Sequence, residues 1–339
     1  MSMRSRAGIR LLLDGFVAAC AACAIAAGAT AAGAASPAPA GDAPPVLEQD
    51  AFVAKYYPPL EPAKIRVTPI GDGVALLQGV GGNMLALTGA DGTVLVDDEL
   101  APLAGKVETA LHGLPNGDRP LRYVIDTHYH FDHTGANAAF AALGATIVST
   151  EALRTRLAAG GVISNGGDLR VHQPPAEAAG LPTATFDRQM TLRLDGEEIL
   201  VVNFPRAHTD GDAVVFLKNA HVVHMGDIFV RYGFPLIDLR AGGSAAGMIK
   251  ACRAVIDGVP DDEQVIPGHG ELSSVGDLRA YVSMLEGATA AVEKARRAGK
   301  TLAQMKAQNV LAPWTERFGN PKDLSSTRAF IDVLYHSPK

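Results

Sequence analysis

His128-Tyr129-His130-Phe131-Asp132-His133 packs three imidazoles and one carboxylate into a single short segment. It follows Leu121–Asp126, an apolar run rich in β-branched and aromatic residues that reads as a strand, and precedes Thr134-Gly135, which reads as a helix start. A loop at a strand end can aim several side chains into one pocket. A regular helix or strand cannot do so at this spacing. Imidazole nitrogen and carboxylate oxygen suit zinc, and so dense a set of ligands suits two metals. The bland alternative is a polar turn with solvated histidines, and four metal-type side chains in so short a stretch argue against it.

Three later residues complete a two-metal set. His208 lies in Ala207-His208-Thr209-Asp210-Gly211-Asp212, Asp227 in His224-Met225-Gly226-Asp227, and His269 in Ile266-Pro267-Gly268-His269-Gly270. Each follows an apolar run and sits beside Gly or Pro. Singly each reads as an ordinary turn residue. In this order, after the His-rich segment, they read as one constellation.

The order of motifs resembles the metallo-β-lactamase superfamily, over nearly all of residues 65–275. The family's first motif, an Asp ending an early strand, matches Asp97 in Val94-Leu95-Val96-Asp97. The HxHxDH segment is the second, and His208, Asp227 and His269 match the remaining three. The resemblance implies an αββα four-layer sandwich with the metals at one edge. It implies one zinc held by His128, His130 and His208, and another held by Asp132, His133 and His269. Asp227 and a hydroxide would bridge them, and Asp97 would orient a ligand histidine from outside. A bridging water held by two metals titrates near neutrality, and a metal polarises the carbonyl it attacks. Asp132 is the candidate catalytic residue, orienting the nucleophile and passing a proton to the leaving group.

Departures narrow this expectation. The best-known antibiotic-degrading branch has a cysteine where Asp227 stands. Asp is the residue of hydrolase branches resembling glyoxalase II and lactonases. Cys252, in Ile249-Lys250-Ala251-Cys252-Arg253, reads as a small residue packed mid-helix. His130 argues against the di-iron redox branch, which carries Glu there. His112, His172, His221, His224 and His336 read as structural or exposed, and Tyr129 and Phe131 as packed beneath the site. Arg231, Tyr232 and Gly242-Gly243-Ser244 read as either pocket or scaffold.

The elements that must position these residues alternate between strand and helix, so the chain reads as one α/β domain over residues 51–339. Its core spans 65–275, and a helical tail spans 276–339. Val74–Gln78, Met84–Thr88, Thr93–Asp97, Thr146–Ser149, Ile199–Asn203, Ala213–Leu217, Val222–His224 and Gln264–Ile266 read as strands. Residues 101–113, Gly135–Leu143, Ala245–Gly258 and Asp277–Ala298 read as helices, and Thr301–Asn309 and Ser325–Tyr335 as the tail. The stretch 150–197 reads as an irregular excursion over the site, with Leu157, Val162, Ile163 and Leu169 as its apolar residues.

The N-terminus reads differently. Arg4, Arg6 and Arg10 precede an Ala-rich apolar stretch from Leu11 to Ala35, with small residues at Ala32-Gly33-Ala34. That pattern predicts a signal peptide over residues 1–35 and export to the periplasm or medium, with a flexible leader over 36–50. Asp14 and the Ala/Gly content argue against a retained span. Val17-Ala18-Ala19-Cys20 offers a minor lipoprotein reading through Cys20. The chain's net charge is −6, and the three Arg and one Asp of the signal carry +2, so the remainder is −8. Such a surface excludes nucleic acid as a partner and favours a small-molecule substrate. Oligomeric state stays open. The sequence therefore predicts an exported dizinc hydrolase of a cyclic amide, lactone or ester. The alternatives are a thioester hydrolase resembling glyoxalase II and a non-catalytic metal-binding accessory protein.

Overall fold

A computed structural model describes residues 45–164 and 169–338. The expected signal peptide, its Cys20 variant and most of the expected leader lie outside them, as do residues 165–168 of the stretch 150–197.

Two sheets face each other. The first runs, in spatial order, Ala184–Phe186, Thr146–Thr150, Leu121–Ile125, Gly92–Val96, Met84–Gly89, Val74–Gln78 and Arg66–Gly71. Its N-terminal half is antiparallel, and the pairs from Gly92–Val96 through Ala184–Phe186 are parallel. The second runs Gln189–Leu194, Glu197–Asn203, Ala213–Leu217, Val222–His224, Gln264–Ile266 and Ser273–Ser274, with one parallel pair, Val222–His224 against Gln264–Ile266.

Alternation along single strands explains the layers. Leu76, Leu85 and Val96 of the first sheet pack on Ile199, Val201 and Val215 of the second, forming the inner core. The intervening Leu77, Met84 and Leu95 face outward onto Val107, Leu111 and Phe140, from the helices Ala104–His112 and Asn137–Ala142. On the far side Val214, Phe216 and Val223 pack against Met248, Val255, Leu285 and Phe330, from Ala245–Gly258, Val275–Arg297 and Ser325–His336. Strands such as Ala213–Leu217 are buried on both faces, so they appear as unbroken apolar runs rather than alternating ones. The expected αββα sandwich with C-terminal helices is the fold observed.

Three expectations need correction. The leader does not extend to residue 50: Leu47–Glu48 pairs in parallel with Val171–His172, and Gln49–Tyr56 is a helix. The expected helix Gly135–Leu143 is two shorter ones, Phe131–Thr134 and Asn137–Ala142. Gly135 comes too close to the backbone of Ala101 and Glu99 to carry a side chain, and its N–H is taken by the Glu99 carbonyl. The stretch 150–197 is not irregular. It holds the helix Glu151–Ala159, capped by the Thr150 hydroxyl, and a hairpin of Gly161–Ser164 against Arg170–Gln173. It also supplies the edge strands Ala184–Phe186 and Gln189–Leu194. Its Gly and Pro pairs punctuate short strands that hydrophobic periodicity over a long window blurs. The tail also contains a helix, Ala312–Phe318, that the sequence reading passed over. Among the described residues no helix is long and apolar enough to cross a membrane.

Candidate metal centre

Every candidate ligand follows a strand at the same edge of the sandwich. His128–His133 follow Leu121–Ile125, His208 follows Glu197–Asn203, Asp227 follows Val222–His224, and His269 follows Gln264–Ile266. Their side chains converge into two groups, each with its ligand atoms within 4.8 Å of one another: His128, His130, His208 and Asp227, and Asp132, His133 and His269. Asp227 lies between the groups. Its Oδ1 is 3.4 Å from His133 Nε2 and 3.5 Å from His269 Nε2, while its Oδ2 is 3.9 Å from His208 Nε2. Asp132 Oδ2 stands 3.4 Å from His269 Nε2.

The outer partners decide which atom of each ring faces inward. The Thr127 hydroxyl donates to Asp97 Oδ2 at 2.8 Å, so its oxygen accepts from His128 Nδ1 at 3.0 Å. The lone pair of His128 Nε2 is left facing the site, buried and without a hydrogen-bond partner. His208 Nδ1 donates to the Leu236 carbonyl at 2.9 Å, and His130 Nε2 faces Asp238 Oδ2 at 3.4 Å. The inward nitrogens of these two rings, His208 Nε2 and His130 Nδ1, are then both acceptors, 3.1 Å apart. Two lone pairs held face to face away from water repel, and a cation between them removes the conflict.

Electrostatics agree. Burial and the neighbouring histidine His130 depress the His208 imidazole to about 4, which leaves it neutral and able to ligate. Burial and His133 likewise hold His128 well below the usual imidazole range. His133 behaves oppositely: burial disfavours its charged form, but Asp97 and Asp227 outweigh burial and raise it. Without metal this ring carries an extra proton between two carboxylates, and a bound cation would displace it. The donor set, its burial and the orphaned His128 Nε2 all fit divalent metal.

Asp97 lies where the sequence reading expected. Its Oδ1 accepts from Thr127 N at 2.7 Å, and its Oδ2 faces His133 Nδ1 at 2.7 Å. It sits at φ 58°, a left-handed conformation that side chains reach only when their surroundings enforce it. Gly82 and Gly268 permit the closeness of the cluster: a Cβ on the first would lie 2.3 Å from the His133 ring, and one on the second 2.0 Å from Asp227 Oδ1.

Other candidates resolve. His224 is buried and satisfied by Asn83 O and Gly226 N, outside both groups. His221 is exposed and faces Glu263 at 3.5 Å. Tyr129 is buried and donates to Asp238 at 2.7 Å, whereas Phe131 lines the mouth of the site. Tyr232 also lines the mouth, 5.6 Å from the His269 ring, and Arg231 turns away to Asp277. Gly243 and Ser244 are scaffold: the Ser244 hydroxyl caps Ala245–Gly258, and Gly243 abuts the His208 carbonyl. Cys252 is buried inside that helix.

Sequence reasoning missed two supports. Asp238 holds His130 and Tyr129, and Tyr57 donates to Asp132 Oδ2 at 2.9 Å from a segment that the sequence reading left outside the motifs. No spacing rule links Tyr57 to a carboxylate 75 positions away. Tyr57→Phe keeps the ring and deletes the donor. Removing a partner that orients a metal ligand typically costs about 10- to 100-fold in metal affinity or activity, so kcat/KM should fall by about that much. Unchanged kinetics in the purified variant would refute the contact.

Residues 77–269 match the family model described as the metallo-beta-lactamase superfamily. Similar solved structures include a metallo-beta-lactamase from Pontibacter korlensis, with 20% identity, TM-score 0.55 and coverage of 66% of this chain and 99% of that one. TMB-1 is similar at 18% identity and TM-score 0.54, covering 67% of this chain and 99% of that one. The DIM-1 metallo-beta-lactamase is similar at 19% identity and TM-score 0.52, covering 68% and 98%. A comparison with curated proteins returned no match. The family match extends over more than half of the chain, which belongs to the metallo-beta-lactamase superfamily. It is a metal-dependent hydrolase of that family.

Proposed function

We propose that the protein is an exported dizinc hydrolase that opens a cyclic amide or cleaves a lactone or ester. The observation that carries this reading is the pair of ligand groups with Asp227 between them. His128, His130 and His208 would hold one zinc, and Asp132, His133 and His269 the other. When bound, the pair would lower the pKa of a water toward neutrality and polarise the scissile carbonyl.

The remaining work belongs to the chain's own groups. Asp97 and Asp238 fix the rings of His133 and His130 from outside. Tyr57 orients the Asp132 carboxylate. Water adds its oxygen to the carbonyl carbon, the bond from that carbon to the leaving oxygen or nitrogen breaks, and the leaving atom takes up a proton. Asp132, at the floor of the open pocket, is placed to hand over that proton.

The test is parallel turnover of a penicillin, a carbapenem, an acyl-lactone and a thioester by zinc-loaded protein. Hydrolysis of a lactone or β-lactam is expected, with the β-lactam rate low because Asp227 stands where the specialised enzymes carry cysteine. Turnover of the thioester alone would overturn the ranking, and no turnover with two zinc ions bound would favour the accessory reading.

Export rests on the basic start, the apolar run and Ala32-Gly33-Ala34. N-terminal sequencing of the protein from its native host should begin between about residues 33 and 40. A chain starting at Met1 would refute cleavage, and a lipidated Cys20 would show a lipoprotein.

A further inference from the structure

A pocket of about 310 Å³ opens directly over the metal cluster, with His130, Asp132, Asp227 and His269 in its floor. That volume lies at the small end of the ~300–1,000 Å³ common for ligand sites. Its apolar lining comes from two segments that meet in one cluster: Phe52 and Tyr57 from the N-terminal segment, and Ile163, Leu169 and Val171 from the hairpin. At the rim stand Tyr56 and Tyr232, large aromatic side chains 59% and 55% exposed. Among the described residues no Lys or Arg lines the pocket. Two nearby arginines are held by carboxylates, Arg231 by Asp277 and Arg156 by Asp210, each at 2.6 Å.

The N-terminal segment is seated on the domain rather than draped past it. Leu47–Glu48 pairs with the hairpin strand, Glu48 Oε2 faces His172 Nδ1 at 2.7 Å, the Phe52 ring packs edge-on to Phe131 at 6.2 Å, and Tyr57 reaches Asp132. An apolar group entering among these side chains gains from burial. Lys55 Nζ stands at the rim, 4.9 Å from the Tyr56 ring centroid, and not in the lining, so a carboxylate held deeper would lose its hydration without a lining Lys or Arg to meet it.

We propose that this pocket is a specificity subsite that takes an uncharged apolar substituent of the substrate, with Phe52 and Tyr56 as selecting residues. Within the hydrolase reading above, on which it rests, this favours neutral acyl-substituted lactones and esters over substrates recognised by a free carboxylate.

The test uses zinc-loaded protein and two series. Neutral p-nitrophenyl esters from acetate to hexanoate are compared with ω-carboxylate esters of matched length. Primary amides from acetamide to hexanamide are titrated calorimetrically as ligands that need no turnover. Burial of one methylene is expected to raise kcat/KM and amide affinity by about fourfold. Each ω-carboxylate ester should lag its neutral counterpart by at least about tenfold, within the range that a desolvated, unpaired polar group costs. Phe52→Ala should flatten the chain-length dependence. Tyr56→Arg, a change at an exposed side chain that threatens folding little, should narrow the gap against the carboxylates. Esters hydrolysed without chain-length dependence would sink the subsite and leave the hydrolase reading standing. Amide affinity that rises with length while no ester is cleaved would do the reverse. Amide affinity independent of length refutes the subsite whatever the turnover.

Discussion

Treatment with a strong chelator is expected to remove about two zinc ions per chain and to abolish hydrolysis, and stoichiometric zinc is expected to restore it. The physical basis is the state of the site without a cation. His128 Nε2 is buried and unsatisfied, and the acceptor nitrogens of His130 and His208 face each other at 3.1 Å. Metal relieves all of these at once, so its removal should also lower the Tm, since a ligand bound by the folded state alone stabilises it. Binding should release protons, because His133, raised by Asp97 and Asp227 against the effect of burial, must give up its extra proton to ligate. Elemental analysis, turnover and the Tm read this out together. Full activity in protein shown to be metal-free would end the metallo-hydrolase mechanism for this chain.

Asp227→Ala should lose or weaken one of the two metals and lower kcat/KM by more than the ~10- to 100-fold typical of residues that merely support a ligand. Asp227 reaches both groups with its carboxylate, through Oδ1 toward His133 and His269 and Oδ2 toward His208. His269 and His133 keep its carboxyl ionised, below the usual range, although burial alone would push it up. If two cations are bound as proposed, removing it would take away a charge that offsets them and a carboxylate that reaches both ligand groups. His221→Ala is the matched control. His221 lies close by in sequence, but its side chain is 61% exposed and its contact with Glu263 is a surface pair, worth about 0–1 kcal/mol. Metal content should be unchanged in that variant. If both variants lost metal and activity alike, the role assigned to Asp227 would be wrong.

The candidate metal site of this protein was legible in its sequence because its metal-type residues sit in short turns after apolar strands. His128, His130, Asp132 and His133 are neighbours along the chain, and His208, Asp227 and His269 each carry the Gly or Pro that tight strand-end turns need. Asp97 was legible only through the family resemblance, as an Asp that ends an early strand. Layer order was legible only through the family resemblance. Strands such as Ala213–Leu217 are buried on both faces and show no alternation from which a facing sheet could be inferred.

Tertiary structure alone decided what lies far apart in sequence. Asp238 steadies His130; Tyr57 meets Asp132, and Phe52 joins Ile163 and Leu169 in lining the pocket, because strand pairing of Leu47–Glu48 with the Arg170–Gln173 strand seats the N-terminal segment there. Residues 150–197 seemed irregular because their strands are short and their partners lie in other elements, so pairing rather than local propensity makes them strands. The sequence by itself thus determined which atoms can bind metal, since ligand chemistry is a property of residue type. Which ring nitrogen faces inward, and which apolar side chains border the substrate pocket, depend on hydrogen bonds and packing between distant segments, and only the folded chain supplies those.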